Sequence, residues 1–521
     1  MSFNPPSTDH LAADGGTISS IETAINNAFD PISAAVTNFV FYSVNIAGAD
    51  IPLIVLWLIV GAVIFTVSFK FIQFRGVKRA LILVSGKEDE PDAPGEVSHF
   101  RALTAAVSGT VGLGNIAGVA VAVTLGGPGA TLWMILAGLL GMASKFVECT
   151  LGVKFRDVNE DGTVSGGPMK YLTKGLADRG LAKLGKIMAV FYAIIITFFA
   201  ISGGNMFQAN QTFAQVRSVT GGDDGLLGSD GAKAIFGIGI ALIIGLVIIG
   251  GMKSISAVTA KLVPSMAIVY IVACAVVIGV NFQSVPSAFV AIFEGAFSPE
   301  GVAGGVLGVM IIGFQRAAFS NEAGLGSAAI AHSAVKTRHP VTEGFVAMLE
   351  PFIDTVVICT ATALTIVIAN TQTWQDQREI VAETGELPAG GVTLTSDAFE
   401  TVLPWFPYVL TVAVALFALS TAITWAYYGQ QAWTSLFGRS PLSRNFFNLM
   451  FCTFTVIGTV LSLGSVLDFA DATLFLLALV NITGLYLLLP VVKRELADYM
   501  ATRPGKHDPD KVVRSAKDDL V

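Results

Sequence analysis

The stretch Ser108–Gly118 reads SGTVGLGNIAG, and it lies within a long run of sequence that is almost free of charge. A glycine-rich loop suggests a phosphate cradle, but the dinucleotide-binding pattern needs the spacing GxGxxG directly after a strand. The spacing here is Gly112-x-Gly114-xxx-Gly118 and no βαβ context surrounds it, so a nucleotide loop is excluded. Two interpretations remain for these glycines. They form a seam at which two helices pack closely, or they interrupt a membrane helix and free its backbone groups.

The composition of the whole chain decides its class. Of the 521 residues, 53% are hydrophobic and only 13% are charged, and the mean hydropathy is +0.69. Soluble domains carry about 25% charged residues. The chain is therefore predicted to be an all-α polytopic membrane protein, because helices satisfy their own backbone hydrogen bonds within lipid.

Apolar segments long enough to cross a bilayer recur along the chain. We predict eleven transmembrane helices from them. Their approximate limits are 52–74 (span A), 102–124 (B), 129–152 (C), 186–206 (D), 234–251 (E), 255–280 (F), 302–330 (G), 344–369 (H), 404–428 (I), 445–466 (J) and 468–491 (K).

The basic residues give the expected orientation of these spans. The first of them is Lys70, and alternate allocation of the loops places 26 of the 31 Lys and Arg on one side of the membrane. Such a bias marks the cytoplasmic side. We therefore expect an extracytoplasmic N-terminal segment, 1–50, and a cytoplasmic tail, 492–521, in a bacterial inner membrane.

The helix count indicates an internal repeat. Spans B to F make up residues 100–300, and spans G to K make up residues 301–491. An odd number of helices in each half inverts the second half in the membrane, which is the topology of many secondary transporters. Residues 51–99, with span A and a cytoplasmic loop, stand outside this five-plus-five scheme.

The first helix of each half carries a similar interruption. Span B contains GLGNIA at Gly112–Ala117, and span G contains GLGSAA at Gly324–Ala329. Interrupted helices at matching positions of two halves point to a binding site at the membrane midplane. Freed amides at the positive end of a half-helix can hold a carboxylate. Freed carbonyls, with the Asn115 amide and the Thr110 hydroxyl, can ligate Na⁺.

Two sequence motifs resemble known transporter families. VGLGN at Val111–Asn115 is similar to the unwound first helix of the neurotransmitter-sodium symporters, which have the LeuT-type fold. The segment GFQRAAFSNEAGLGSAAIAHSAVKTRHPVTEGFVAMLEP, Gly313–Pro351, resembles the signature of the alanine or glycine:cation symporter family. This resemblance implies a LeuT-type five-plus-five inverted repeat preceded by one extra helix. It also implies Na⁺-coupled uptake of alanine, glycine or similar small neutral amino acids.

Span G is predicted to break at Gly313 and Phe314. The carbonyls of Ile312 and Gly313 would then accept hydrogen bonds from a substrate ammonium group, and Phe314 would cap the cavity and limit the size of the side chain. The residues predicted to bind the amino acid are Thr110, Gly112, Gly114, Asn115, Ile312, Gly313, Phe314, Ser320 and Asn321.

The same resemblance implies a sodium site between spans B and I. In LeuT-type folds, paired hydroxyls on the helix that corresponds to span I face the first broken helix, so Ser420 and Thr421 are the expected partners of its carbonyls. Helical hydroxyls also bond to their own backbone, and that alternative stays open. The residues predicted to ligate sodium are Ser108, Thr110, Val111, Asn115, Asp354, Ser420 and Thr421.

Several charged side chains fall within the spans. Arg316 and Glu322 in span G are expected to form a gate or a structural ion pair, because intramembrane charge is costly. Lys145 and Glu148 in span C are expected to snorkel towards the membrane surface. The arginine that closes the outer gate in neurotransmitter-sodium symporters is replaced here by Gly118, so the gate must differ. Polar residues near the outer end of span D are expected to line the entrance or, for most of them, to meet headgroups or water: Asn205, Gln208, Asn210 and Gln211.

These features predict a secondary symporter that is not an enzyme. Its partners would be a small neutral amino acid, a co-transported sodium ion and the lipid bilayer. No P-loop of the type GxxxxGK(S/T) appears, so ATP is not expected to drive transport directly. Neither a nucleotide nor a nucleic acid is expected as a partner. The alternative is a proton-coupled transporter on the same fold that uses Glu322, Glu350 or Asp354.

Overall fold

The computed structural model describes residues 31–502, except positions 32, 47–48, 161, 249–250, 298–303 and 386–390. Most of the predicted N-terminal segment, 1–50, and most of the predicted tail, 492–521, lie outside the described residues. The part of the tail that is described continues the last helix as far as Thr502.

Helices make up most of the described chain. The main ones are α1 Leu53–Ser68, α2 His99–Thr110, α3 Ala117–Leu125, α4 Ala130–Lys154, α5 Ala182–Ile201, α6 Phe207–Val219, α7 Asp230–Ile248, α8 Gly251–Val280, α9 Val285–Phe297, α10 Gly305–Asn321, α11 Ala328–His332, α12 Pro340–Ala347, α13 Thr360–Ala369, α14 Gln372–Thr384, α15 Gly391–Glu400, α16 Phe406–Phe437, α17 Pro441–Val460 and α18 Leu463–Thr502. Short α-helical turns lie at Ile72–Arg75, Val77–Val84, Pro168–Lys170, Leu176–Asp178 and Leu349–Pro351. The remaining helical segments are π-helical at Tyr171–Gly175, Ser202–Met206 and Phe352–Cys359 and 3₁₀-helical at Leu113–Asn115, Gly222–Asp224 and Phe282–Ser284.

Two short antiparallel hairpins are the exception to the all-helical prediction. Strands β1 Ser43–Ile46 and β2 Ala49–Pro52 pair directly before α1. Strands β3 Asp157–Val158 and β4 Val164–Ser165 pair in the loop after α4. The first hairpin ends at Pro52, where predicted span A begins, and the second lies in the loop between predicted spans C and D.

The structure supports a polytopic membrane protein. Among the described residues, seven helices are long and apolar enough to cross a bilayer, or eight if the bent pair α2 and α3 counts as one span. Helices also occupy the predicted spans A, G and J, as α1, α10 and α17. Their length and composition alone do not establish that they cross the membrane, so the count of eleven stays a prediction.

The bent pair α2 and α3 forms the centre of the bundle. Every residue from 102 to 124 is buried. By contrast, only 28% and 33% of the most apolar windows of α7 and α8 are buried within the protein. Apolar helices that expose most of their surface are suited to face lipid. The polar residues of the central pair are therefore shielded from the bilayer by the other helices.

The interruption predicted for span B is present. The two half-helices meet at a bend of 59°, and Gly112 lies between them in an extended conformation with φ −139° and ψ −150°. A Cβ atom at Gly112 would lie 2.4 Å from Thr421 Oγ1. Only glycine therefore lets the unwound backbone approach α16 this closely.

Candidate functional site

Side chains from other elements satisfy part of the unwound backbone in the first break. The Gly112 N–H donates to Asn115 Oδ1 at 2.9 Å, and the Leu113 N–H donates to Gln208 Oε1 at 3.1 Å. A buried amide without a partner is unfavourable, so these two contacts stabilise a backbone conformation that a continuous helix would not allow. Gln208, on α6, is thus part of the site, although its position suggested only the end of a span.

A buried carboxylate lies beside this break. Asp354, in the π-helical segment Phe352–Cys359, is fully buried. Asn115 Nδ2 donates to its Oδ1 at 2.6 Å, and the hydroxyls of Ser320 and Thr355 donate to its Oδ2 at 2.8 and 2.7 Å. These contacts bring together three residues that the sequence predicted for the site, Asn115, Ser320 and Asp354, from three separate segments.

Three oxygen atoms converge between α2 and α16. Thr421 Oγ1 lies 3.0 Å from the Ser108 carbonyl and 3.4 Å from the Val111 carbonyl, and it donates to them. We refer to Ser108 O, Val111 O and Thr421 Oγ1 as the oxygen triad. Oxygen atoms are the ligands that hard cations prefer. The structure therefore gathers three of the predicted sodium ligands at one point.

Two of the predicted hydroxyl ligands bond to their own helices instead. Ser420 Oγ donates to the Phe417 carbonyl at 2.9 Å, and Thr110 Oγ1 donates to the Val107 carbonyl at 3.3 Å. Thr424 extends the contact between α16 and α2, because its hydroxyl donates to Ser108 Oγ at 3.1 Å. Backbone bonding, the alternative considered from the sequence, therefore describes Ser420 and Thr110.

The predicted break at Gly313 and Phe314 is wrong. Helix α10 runs without interruption from Gly305 to Asn321, so no break frees the carbonyls of Ile312 and Gly313. A Cβ atom at Gly313 would lie 2.5 Å from Trp133 Cβ and 2.9 Å from the Ala130 carbonyl. This glycine allows α10 to pack closely against α4, as small residues commonly do in membrane helices.

The second break lies at Glu322–Ser327, within the motif that repeats the first. Glu322 has φ +57°, and Gly326 has φ +83° in a place where a Cβ atom would lie 2.5 Å from Pro168 Cγ. Glu322 Oε2 accepts from Ser327 Oγ at 2.5 Å, and its Oε1 accepts from Trp425 Nε1 at 3.1 Å. The same indole N–H lies 3.2 Å from the Gly109 carbonyl. Trp425 thus connects both broken helices to α16.

Arg316 and Glu322 do not pair with each other. The Arg316 guanidinium forms a buried ion pair with Asp471 of α18, whereas Glu322 turns towards Ser327 and Trp425 on the other side of the helix end. Asp471 lies 155 positions after Arg316 in the chain, and the fold brings the two side chains together.

The aromatic residue at the first break is Phe319. A Cβ atom at Gly114 would lie 3.5 Å from the Phe319 ring and 3.4 Å from Ser320 Cα. The ring also packs edge-on against Phe207 of α6, with ring centroids 5.2 Å apart. Phe314, the residue chosen from the sequence, is buried earlier on the same helix and is not at a break.

Lys145 and Glu148 do not snorkel. Both side chains are fully buried, and Lys145 Nζ donates to Glu350 Oε1 at 3.0 Å. Glu148 Oε1 accepts from the Gly326 N–H at 3.0 Å and from Asn481 Nδ2 at 2.8 Å. Because α4 lies inside the bundle, these charges have polar partners and no route to water. Glu148 thereby fixes the backbone of the second break.

The polar residues of span D also face the protein. Asn205, Gln208, Asn210 and Gln211 are all buried. Asn205 Nδ2 donates to the Phe451 carbonyl at 2.7 Å, and Asn210 Nδ2 donates to the Leu461 carbonyl at 2.8 Å. The expectation that most of them meet headgroups or water is therefore wrong. Asn205 joins the π-helical segment Ser202–Met206 to α17, and Asn210 joins α6 to the residue that follows α17.

Solved structures share this architecture. The crystal structure of MhsT in complex with L-phenylalanine aligns with a TM-score of 0.55 at 17% sequence identity, over 76% of this chain and 89% of MhsT. An identity this low carries information about the fold alone. Together with the two interrupted helices, the alignment shows a LeuT-type fold.

Several protein sequences are more similar to this chain than MhsT is. The sodium/alanine symporter AgcS of Methanococcus maripaludis is 37% identical over 451 residues, which cover 86% of this chain and 94% of AgcS. The amino-acid carrier protein AlsT of Bacillus subtilis is 33% identical, over 85% of this chain and 89% of AlsT. The probable sodium/glutamine symporter GlnT of the same organism is 32% identical, over 88% and 89%. The model of the sodium:alanine symporter family matches residues 34–513, and the chain therefore belongs to that family of transporters.

Proposed function

We propose that this protein is a sodium-coupled symporter that takes up alanine, glycine and other small neutral amino acids by alternating access. The observation that carries the proposal is the oxygen triad, which stands at the break of the first helix. A sodium ion bound there would contact the same unwound backbone beside which the amino acid is proposed to bind. Each ligand would thus stabilise the arrangement that the other needs, which is the requirement for coupling.

The proposed architecture is the five-plus-five inverted repeat of eleven helices. Span A is the extra helix, residues 100–300 form the first repeat and residues 301–491 form the second. The segregation of basic residues supports an outside N-terminus and a cytoplasmic C-terminus in a bacterial inner membrane. In this orientation, α10 enters from the outside and the Arg316–Asp471 pair lies on the outer side of the second break. We assign that pair to the outer gate.

The proposed substrate position is the space between the two breaks. The backbone around Gly112 and Gly114 would meet the carboxylate, and Ser320 and Asn321 are the neighbouring polar residues on α10. The Phe319 ring limits the space on the side of Gly114. A relative named for sodium and alanine supports this substrate class, and the packing of Phe319 agrees with a small side chain.

The proposal is tested by reconstitution into proteoliposomes. We expect uptake of ³H-alanine to require an inward Na⁺ gradient and to be inhibited by unlabelled glycine. Replacement of external Na⁺ by K⁺ at constant pH should abolish concentrative uptake. If uptake continues unchanged in K⁺, the sodium-coupled function is incorrect.

A second candidate is proton coupling on the same fold. The buried carboxyl groups of Glu322 and Asp354 favour it, and one relative from Bacillus subtilis is named a putative sodium/proton-dependent alanine carrier protein. This candidate requires that an inward pH gradient, in the absence of Na⁺, drives accumulation of alanine in the same vesicles. Failure of the pH gradient to drive uptake would exclude it.

Phe319→Ala is expected to widen the range of substrates. Removal of the ring opens space beside Gly114, and a hydrophobic pocket discriminates about 10-fold or more for each added methylene group. Unlabelled leucine should therefore compete with ³H-alanine at concentrations about 10-fold lower than in the wild type. Phe314→Ala, on the same helix but away from the break, is the matched control and should keep wild-type selectivity. Equal selectivity of the two variants would show that Phe319 does not limit the size of the substrate.

A further inference from the structure

A chain of buried titratable side chains lies outside the proposed sodium and substrate sites. It connects the first turn of α2, the interior of α4 and the last residue of α11 with α12 and the short helical turn Leu349–Pro351 that follows α12. We call it the buried charge cluster. Its members are His99, Lys145, His332, Glu343 and Glu350, whose side chains are between 0% and 3% exposed.

Two histidines share one carboxylate in this cluster. His99 Nδ1 lies 2.5 Å from Glu343 Oε2, and His332 Nδ1 lies 2.5 Å from Glu343 Oε1. An ionised carboxylate only accepts hydrogen bonds. Each imidazole therefore carries a proton on its Nδ1 atom. The charge of His332 then depends on whether its Nε2 atom carries a proton as well.

The other side of His332 faces a second carboxylate. Its Nε2 atom lies 3.7 Å from Glu350 Oε2, and neither atom has a hydrogen-bond partner among the described residues. The second oxygen of Glu350, Oε1, accepts from Lys145 Nζ at 3.0 Å. If His332 were neutral, two acceptor atoms would face each other in a fully buried place, which is unfavourable. One additional proton turns this contact into a donor and an acceptor.

A count of charges leads to the same conclusion. With Glu343 and Glu350 ionised, Lys145 protonated and both imidazoles neutral, the cluster carries one excess negative charge. The other titratable or charged groups that face it from neighbouring elements are Asp89 before α2, Glu148 and Cys149 of α4, Arg156 after α4, Glu322 after α10, Asp354 of the π-helical segment and Tyr428 of α16. These neighbours contain four carboxyl groups and one guanidinium. The guanidinium of Arg156 donates to backbone carbonyls rather than to Glu343 or Glu350, so the excess negative charge has no direct partner in it.

We propose that His332 and Glu350 bind one proton between His332 Nε2 and Glu350 Oε2, and that this proton holds the ends of α2, α4, α11 and α12 together. In the proposed orientation this end of the bundle is cytoplasmic. Loss of the proton leaves the two acceptors and the excess charge, which weakens the connection of α2 through His99 and Glu343. A rise in cytoplasmic pH therefore loosens this end of the first broken helix.

The protonation state of His332 can be measured directly in the wild-type protein. We expect ¹⁵N NMR of histidine-labelled protein in nanodiscs to show His332 as an imidazolium at about pH 8, whereas an ordinary histidine, with a pKa of about 6.5, is neutral there. The five histidines are His10, His99, His332, His339 and His507. The signal of His332 is identified by replacing the other four in turn, so the variant at His332 itself is not needed. A neutral His332 at that pH would overturn the proposal.

The stabilising effect of the proton is tested by thermal unfolding of the full chain. The stabilisation is present when the proton is bound, and it is lost as the pH rises. The midpoint temperature of unfolding of the wild type should therefore decrease when the pH is raised from about 7 to about 10. This pH range is wide enough for a buried histidine whose pKa is shifted by several units. His332→Gln should lose most of this shift. A histidine with a purely structural role predicts the same loss of stability at every pH, and that result would contradict the proposal.

His339→Gln is the matched control for this measurement. His339 is in the same connection between α11 and α12, is only partly buried, and packs its ring against Tyr499 at 5.7 Å between centroids. The variant should keep the pH dependence of the wild type. Both experiments use the purified protein without substrate or sodium, so their outcome is independent of the transport proposal.

Discussion

Asp354→Asn should raise the Na⁺ concentration for half-maximal alanine uptake at least about 100-fold. The carboxylate of Asp354 lies beside the first break and accepts hydrogen bonds from Asn115, Ser320 and Thr355. It is the one acidic side chain among the predicted sodium ligands. Removal of one member of a buried charge pair, here the carboxylate that would face the sodium ion, costs about 3–5 kcal/mol. This cost corresponds to a loss of affinity of more than about 100-fold. Asparagine has nearly the same shape, so the fold should be retained.

The measurement is Na⁺-dependent ³H-alanine uptake at a series of Na⁺ concentrations, with thermal unfolding as the check on folding. Asp376→Asn, an exposed carboxylate on α14 that bonds to Gln372, is the control for loss of charge and should behave as the wild type. A variant that keeps its sodium dependence but no longer responds to a pH gradient would assign Asp354 to proton coupling instead. Unchanged uptake under both conditions would remove it from the mechanism.

Thr421→Val should raise the Na⁺ concentration for half-maximal uptake about 10-fold or more. Valine keeps the shape of the side chain but removes the oxygen that lies 3.0 Å from the Ser108 carbonyl. The contact of a buried polar atom with a charged group contributes about 1.5–3 kcal/mol, which corresponds to the expected change.

Two neighbouring variants make this result specific to the oxygen triad. Ser420→Ala removes the adjacent hydroxyl, which bonds within its own helix to the Phe417 carbonyl, and should change the sodium dependence about 2-fold or less. Thr421→Ser retains the hydroxyl and should stay close to the wild type. If Ser420→Ala and Thr421→Val have equal effects, the sodium site does not lie at the oxygen triad.

The first break could be predicted well because its signals are local. The glycines of Ser108–Gly118 lie in an apolar segment, and their repetition at Gly324–Ala329 marks both interruptions. The second break was nevertheless placed too early, at Gly313. A glycine that packs against a neighbouring helix and a glycine that ends a helix look alike in sequence, and only the contact with Trp133 distinguishes them.

The partners of the buried charged residues could not be predicted from the sequence. Lys145 and Glu148 are neighbours on one helix, but Lys145 bonds to Glu350, which is 205 positions away. Arg316 was compared with the nearby Glu322, but its partner is Asp471, 155 positions away. Spacing along a helix carries no information about which side chain of another helix comes opposite.

The sequence by itself determined the membrane class, the two interrupted helices and the family. The reason is that composition and short glycine-rich motifs can be recognised without knowing which helices are in contact. The tertiary structure decided which groups meet at the interruptions. Thr421 rather than Ser420 faces the first break, Phe319 rather than Phe314 lies at its side, and Asn115 meets Asp354. Each of these contacts joins residues that are far apart in the chain, and the packing of whole helices sets which face of each one turns inward.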